Sequence, residues 1–195
     1  MLPRHPVSLA ALALVLGFLV GVLTSLLQAG ADFPWLALVN AVSPWLTTAF
    51  VAGALQTRLR VAVLIGMAAT FLQVVGYSLT AELRGFDANL DYVLLWSACA
   101  VLGGPLFGAA GHLWRRAAPA GVGAALLGAT YAAEAVVSYG WRLGYTSSAV
   151  LFGVIAVGLA LGLGWHRGQL PATARWLGPA LVAGVAGHFA LGLVV

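Results

Sequence analysis

Two series of polar side chains stand out in an otherwise apolar sequence, and each series keeps a helical spacing. The first series is Thr70, Gln73, Tyr77, Thr80 and Arg84. The second series is Thr130, Glu134, Ser138 and Arg142, with Tyr131 beside it. Because an α-helix has about 3.6 residues per turn, each set of spacings falls on one helix face. Hydroxyl, amide, carboxyl and guanidinium groups gathered in this way bind polar solutes through hydrogen bonds and charge.

The composition places these two series in a membrane protein. The 195 residues are 62% hydrophobic and 7% charged, whereas a soluble domain carries about 25% charged residues. The chain has nine arginines, no lysines and five acidic residues, so the formal net charge is +4. The arginines are scattered along the chain instead of clustered, which argues against nucleic-acid binding. They are better explained as markers of the cytoplasmic face of a membrane.

The apolar stretches predict an all-α bundle of about seven transmembrane helices, which forms one integral membrane domain over residues 1–195. The predicted spans cover about 7–29, 44–56, 61–83, 92–114, 120–140, 148–165 and 174–195. The second span is short because Pro44 divides its apolar run, and we expect an interfacial helix over about 33–41 before it. Ser43 is the predicted N-cap of this short span, with Pro44 in its first turn.

The placement of arginine predicts the orientation of the bundle. With the N-terminus inside the cell, the arginines at cytoplasmic helix ends are Arg4, Arg58, Arg60, Arg115, Arg116, Arg167 and Arg175. Only Arg84 and Arg142 fall on the outer side, together with four of the five acidic residues. This alternation follows the positive-inside rule, and it requires the short second segment to cross. We therefore predict a bacterial cytoplasmic-membrane protein with its N-terminus inside and its C-terminus outside.

A carboxyl group within a span, as at Glu134, needs an explanation because a charge at the centre of a helix costs about 2.5–3.5 kcal/mol on insertion scales. It is either a structural tie between helices or a contact for a substrate or a proton. Interhelical hydrogen bonds contribute only about 0.6 kcal/mol on average, so stability is a weak reason to bury it. The functional interpretation predicts a pocket that opens outward, with Trp141 and Tyr145 at its rim. The predicted substrate-binding residues are Glu134, Arg84, Arg142, Tyr77, Gln73, Tyr131 and His188.

Small residues spaced four apart line one face of the first predicted helix. They are Ala13, Gly17, Gly21 and Ser25. Small side chains at this spacing let two helix backbones approach closely. The face therefore serves either for packing within the bundle or for docking another membrane protein or a second copy. A similar pair, Gly104 and Gly108, lies in the fourth span, where Pro105 is expected to bend the helix.

No residue pattern points to catalysis or to a cofactor. Metalloprotease, nucleophile and phosphate-loop motifs do not occur, so we predict no enzyme, no cofactor and no metal site. Cys99 is the single cysteine, which excludes an internal disulfide. Glu134 with a lone histidine is too small a set for a recognisable catalytic site.

Several sequence blocks together resemble one known family. The blocks are Tyr77 to Phe86, Leu95-Trp96, Gly103-Gly104-Pro105 with Gly108, Asn40 with Ser43-Pro44-Trp45, and Ala49-Phe50 with Gly53. In these blocks the chain resembles domain-of-unknown-function family 6518, a group of small bacterial multi-span membrane proteins. The resemblance covers nearly the whole chain and implies an architecture but no established activity. The bundle size and arginine-marked loops also resemble, loosely, the substrate-binding subunits of energy-coupling-factor vitamin transporters.

Two functions of different classes remain open. The first is a small-solute binding or transport subunit with an outward polar pocket, surrounded by the lipid bilayer and docked to a membrane-protein partner or a second copy. The second is a non-transporting scaffold or assembly protein whose buried polar cluster is structural. The first predicts that Glu134→Gln or Arg84→Ala abolishes ligand binding without affecting insertion. The second predicts that the same substitutions lower stability.

Overall fold

The computed structural model describes residues 6–87 and 89–193, and all of the regular structure within them is helical. The helices, in chain order, are α1 (Pro6–Leu27), α2 (Trp35–Asn40), α3 (Val42–Ala54), α4 (Leu59–Leu83), α5 (Leu90–Arg116), α6 (Val122–Glu134), a π-helical segment (Ala135–Arg142), α7 (Thr146–His166) and α8 (Leu170–Gly192). The all-α prediction is confirmed, and the predicted spans match these helices to within about one turn. Arg4 and the end of the last predicted span at Val195 lie outside the described residues.

Within the described residues, five helices are long and apolar enough to cross a membrane. They are Val7–Leu27, Leu59–Leu83, Leu90–Arg116, Val122–Arg142 and Thr146–His166. The other two predicted spans are α3 and α8. The 13 residues of α3 extend about 20 Å at 1.5 Å per residue, less than the roughly 30 Å of a hydrocarbon core. The 23 residues of α8 are long enough but less apolar.

The short helix α3 begins two residues earlier than its turn chemistry predicted. Its N-cap is Ala41, without a side-chain hydrogen bond, so the prediction of Ser43 as the N-cap is wrong. Pro44 does lie in the first turn, as predicted. Proline is tolerated there because the first backbone N–H groups of a helix have no intrahelical partner.

The chain divides into two compact units, and the first comprises the chain up to Ala31 together with Val39–His112. Here the small-residue face of α1 packs against α4. A Cβ atom on Gly17 would meet the backbone of Ala69, and a Cβ atom on Gly21 would meet the backbone of Gln73. On this face, therefore, the small residues of α1 pack against α4.

Glycines of α5 make a second close approach in the first unit. A Cβ atom on Gly104 would meet Met67 and Gly66 of α4, and a Cβ atom on Gly108 would meet Ala62. Pro105 lies within this helix, which continues unbroken from Leu90 to Arg116. Apolar helices long enough to cross a membrane tolerate an internal proline, because neighbouring groups satisfy the backbone atoms that it frees.

The second unit comprises Asp32–Leu38 and Leu113–Val195. Its central helix is α6, which contacts both α7 and α8 through small residues. A Cβ atom on Gly128 would lie 3.1 Å from Ala160, and one on Gly184 would lie 3.1 Å from Ala133. Small side chains therefore set the helix spacing in this unit also.

A π-helical segment, Ala135–Arg142, follows α6 without a break. Its hydrogen bonds join residues five apart, as in the bond from the Leu143 N–H to the Ser138 carbonyl at 3.0 Å. The sequence predicted a regular α-helix here, with Ser138 on the same face as Glu134. The wider turn changes the register, so that Tyr139 is buried and Ser138 is only half-buried.

Gln169 joins the two loops of the second unit that precede α6 and α8. Its side-chain carbonyl accepts a hydrogen bond from the Gly121 N–H at 2.7 Å. Its amide N–H donates to the Trp114 carbonyl at 3.1 Å. Gly121 has φ +81°, a left-handed conformation that glycine adopts without a steric penalty.

Candidate functional site

The predicted substrate-binding residues are divided between the two units. Gln73, Tyr77 and Arg84 belong to the first unit, and Tyr131, Glu134, Arg142 and His188 belong to the second. Each group is described within its own unit. In the first unit they lie on or directly after α4, and in the second they lie on α6, the π-helical segment and α8.

The polar series on α4 forms one inward-facing side of that helix. Thr70, Gln73 and Thr80 are all buried, and Tyr77 and Arg84 are half-buried. The Thr70 hydroxyl donates within its own helix to the Gly66 carbonyl at 2.7 Å. The polar series therefore faces the interior of the first unit.

Gln73 is the most buried member of this face, with 0% exposure. Neither polar atom of its side chain has a hydrogen-bond partner in the described residues. A buried polar group in this state costs about 1–3 kcal/mol. Gln73 does not line the cavity described next, so its position is separate from that of Tyr77 and Arg84.

A cavity of about 620 Å³ lies in the first unit, where α1 ends and α5 begins. Its wall also includes the end of α2, the start of α3, the last three turns of α4 and the loop between α4 and α5. Pockets for small organic molecules have volumes of about 300–1,000 Å³ and combine apolar walls with a few polar groups. Tyr77 and Arg84 both line this cavity, so the structure brings two of the predicted binding residues together.

Aromatic rings form one wall of the cavity. The ring centroids of Trp45 and Tyr77 are 5.8 Å apart in an edge-to-face arrangement. Those of Trp45 and Trp96 are 6.1 Å apart, and the rings are tilted by 40°. Aromatic pairs at these distances are held by ring electrostatics in addition to burial. The three rings therefore present a fixed apolar surface to the cavity.

A chain of hydrogen bonds runs along another part of the wall. The Tyr77 hydroxyl donates to the Gln28 side-chain carbonyl at 2.6 Å. The Gln28 amide N–H then donates to the Asn40 side-chain carbonyl at 2.9 Å. These bonds join α4 to the residues that follow α1 and to the end of α2, and they hold the Tyr77 ring in position.

Arg84 is the half-buried cation of the cavity, at the C-terminal end of α4. Its Nη1 donates to the Ser25 carbonyl and lies 3.3 Å from the Ser25 hydroxyl. The guanidinium carbon lies 5.1 Å from the centroid of the Phe86 ring, within the range of a cation–π interaction. Positive charge next to the last carbonyls of a helix is also favourable.

The second unit buries an acidic and a basic group together. Glu134 is 3% exposed and His188 is 6% exposed, and the two interact electrostatically. The His188 ring also forms a hydrogen bond with the backbone of Thr130. Glu134 therefore lies in the interior of the second unit, as predicted, and it interacts there with His188.

Two further residues complete this part of the second unit. The Tyr139 hydroxyl donates to the Ala37 carbonyl at 3.2 Å, and Tyr139 also interacts electrostatically with Glu134. Tyr131 is buried with its ring centroid 5.7 Å from that of Phe152. Arg142, by contrast, is exposed, and its guanidinium lies against Gly192 of α8.

Sequence reasoning missed several residues of the first-unit cavity. They are Gln28, Asn40, Trp45 and Trp96. A usable signal existed for three of them, because Asn40, Trp45 and Trp96 stand in the blocks that carry the family resemblance. Tyr139 was missed because a π-helical turn leaves no mark in the spacing of polar residues.

Comparison with known proteins identifies the family. The model of DUF6518, a family of unknown function, matches residues 1–195, and the chain belongs to that family. The family suggested by the sequence blocks is therefore confirmed. No curated protein and no solved structure matches the chain, so the loose likeness to energy-coupling-factor subunits has no support.

Proposed function

We propose that this DUF6518 member is a multi-pass protein of the bacterial cytoplasmic membrane that binds a small solute, as a binding or transport subunit. The observation that carries the proposal is the cavity of about 620 Å³ in the first unit. It combines aromatic walls, a hydrogen-bonded amide chain and the half-buried cation Arg84. Cavities with this combination of a mainly apolar wall and a few placed polar groups are typical of small-molecule sites.

The proposed topology has seven crossings, with the N-terminus inside and the C-terminus outside. The supporting pattern is the alternation of arginines: Arg58 and Arg60 follow α3, whereas Arg84 follows α4. In this topology α3 crosses despite its short length, which local thinning of the bilayer accommodates at modest cost. In this topology the C-terminal end of α4, where Arg84 lines the cavity, lies on the outer side of the membrane.

Glu134, His188, Tyr131 and Arg142 stay proposed binding residues of the second unit. A buried carboxyl group in a membrane helix is by default a contact for a substrate or a proton. The interaction between Glu134 and His188 supports a proton role in particular, because a neighbouring histidine gives the carboxyl group a partner that also exchanges protons.

A scaffold role is the second candidate, and the hydrogen bonds of the cavity wall favour it. Tyr77 is bonded to Gln28, and Arg84 is bonded to Ser25. Polar groups that already have protein partners fix the positions of helices without any ligand. In this function the same residues stabilise α4 against α1, and a partner protein binds another surface.

A thermal-stability screen of the purified protein against metabolites separates the two functions. The matched variant is Ala81→Phe, because Ala81 lines the cavity and a phenyl ring there fills space without removing a polar group. A cavity ligand raises the unfolding temperature of the wild-type protein and not that of Ala81→Phe. The scaffold function is supported if no metabolite raises the unfolding temperature of the wild-type protein more than that of Ala81→Phe, and if Arg84→Ala lowers stability and yield.

A further inference from the structure

Arg84 is a half-buried cation in the wall of the first-unit cavity. Within residues 6–87 and 89–193, the partners of the Arg84 guanidinium are Ser25 and the Phe86 ring, and neither is a carboxylate. A guanidinium has five N–H donors, so donors remain for a further acceptor. Because the wall around it is mostly apolar, the charge is poorly screened and attracts an anion more strongly than an exposed arginine does.

Asp87 also lines the cavity and would favour a cation instead. It is exposed, on the loop that follows α4, so water and salt screen its charge. Arg84 is half-buried and fixed by two partners, whereas no such contact holds the Asp87 side chain in the described residues. The balance of the two charges therefore favours a negatively charged ligand.

The aromatic wall determines the shape of the ligand. Trp45 and Trp96 lie 6.1 Å apart between ring centroids, and Tyr77 meets Trp45 edge-on. Flat rings gain most from such a surface because they stack against indole faces. A flexible aliphatic chain has no such gain and loses more conformational entropy when it binds.

We propose that the cavity binds a planar aromatic organic anion, whose ring packs against Trp45 and Trp96 and whose negative group pairs with Arg84. This inference rests on the proposed solute-binding function and names its ligand class. A carboxylate suits the site because a guanidinium can donate two parallel hydrogen bonds to it.

Three probes that share one ring test the charge preference. Indole-3-acetate carries an anion, indole-3-acetamide is neutral and tryptamine is a cation. Each is titrated at millimolar concentration into the full-length protein in phosphatidylcholine nanodiscs, and the change in unfolding temperature and the Kd are measured. Indole-3-acetate should bind most tightly, indole-3-acetamide with a Kd about tenfold higher, and tryptamine most weakly. The amide cannot form the charge-assisted hydrogen bond with Arg84, and the ammonium group of tryptamine is repelled by the guanidinium.

Substitutions assign the preference to Arg84. Arg84→Gln should reduce the ratio between the Kd values of indole-3-acetamide and indole-3-acetate to about twofold or less. Arg60→Gln is the matched control, since it removes the same charge from the exposed opposite end of α4 and should leave the ratio unchanged. Arg84→Lys keeps a cation and should keep part of the preference, which tests the inference independently of whether Arg84→Gln folds.

Three results would overturn the inference. Equal or tighter binding of acetamide or tryptamine excludes an anion site but leaves solute binding intact. Loss of acetate binding when phosphatidylglycerol is added to the nanodiscs assigns the site to a lipid headgroup. Binding of none of the probes excludes an aromatic anion, and the metabolite screen with Ala81→Phe then decides separately whether the cavity binds any solute.

Discussion

Replacement of Gly21 by alanine tests the close packing of α1 on α4. A Cβ atom at this position would lie closest to the Gln73 carbonyl oxygen, and also 2.8 Å from the Tyr77 nitrogen and 2.9 Å from the Gln73 carbonyl carbon. Ordinary contacts of a Cβ atom are 3.4–4 Å, so the nitrogen contact alone would separate α1 and α4 by about 0.6 Å, and the closer oxygen requires more. All three atoms belong to the backbone of a helix, and none can move by rotation of a side chain.

The energetic cost follows from this displacement. A gap of about 0.5–1 Å loses a quarter to a half of the dispersion energy of each contact, and overpacking of a well-packed interior costs about 1–3 kcal/mol. Alanine regains up to about 1 kcal/mol through its higher helix propensity. We therefore expect Gly21→Ala to lower the free energy of unfolding by about 1–2 kcal/mol, since the backbone contacts place the cost in the upper part of its range.

The measurement is the unfolding temperature in detergent, followed by the circular dichroism of the helices. Gly162→Ala is the matched control, because among the described residues no atom outside the local backbone of α7 lies within 4 Å of the added Cβ atom. This control should unfold at the same temperature as the wild-type protein or slightly higher. If Gly21→Ala behaves like Gly162→Ala, the packing of α1 on α4 is not as close as described.

Three other substitutions test separate features of the chain. Gln73→Met should raise the unfolding temperature, because it replaces a buried amide that has no hydrogen-bond partner among the described residues by an apolar side chain of similar length; a lower temperature would show that the amide is paired. Gln169→Ala should lower the free energy of unfolding by about 1–3 kcal/mol, because the buried Gly121 N–H loses its acceptor and the Trp114 carbonyl loses a donor; an unchanged unfolding temperature would contradict this. Thr57→Cys, in a cysteine-free background, should react with a membrane-impermeant thiol reagent in inside-out vesicles and not in intact cells, and the reverse result would contradict the proposed crossing of α3.

The sequence predicted the helices well because their signal is local. Apolar runs of about 20 residues and the polar face from Thr70 to Arg84 depend only on composition and a fixed helical period. The burial of Glu134 followed from similar reasoning, because a carboxyl group in an apolar helix must turn away from lipid. These inferences needed no knowledge of which helices are neighbours.

The cavity could not be predicted in the same way. It depends on the contacts of Tyr77 with Gln28 and Trp45 and on the contact of Gln28 with Asn40. These four residues come from four separate segments of the chain. Spacing within one helix does not show which other helix packs against it. The π-helical segment after Glu134 was missed for a related reason, since its wider turn depends on packing within the folded unit.

The most direct test of the central claim is a measurement of solute binding to the wild-type protein and to Ala81→Phe. Both proteins are screened in parallel in phosphatidylcholine nanodiscs, and the ligand-induced change in unfolding temperature is recorded for each compound. The proposed function predicts at least one compound that stabilises the wild-type protein and does not stabilise Ala81→Phe. A screen in which every compound has the same effect on two equally folded proteins would contradict it.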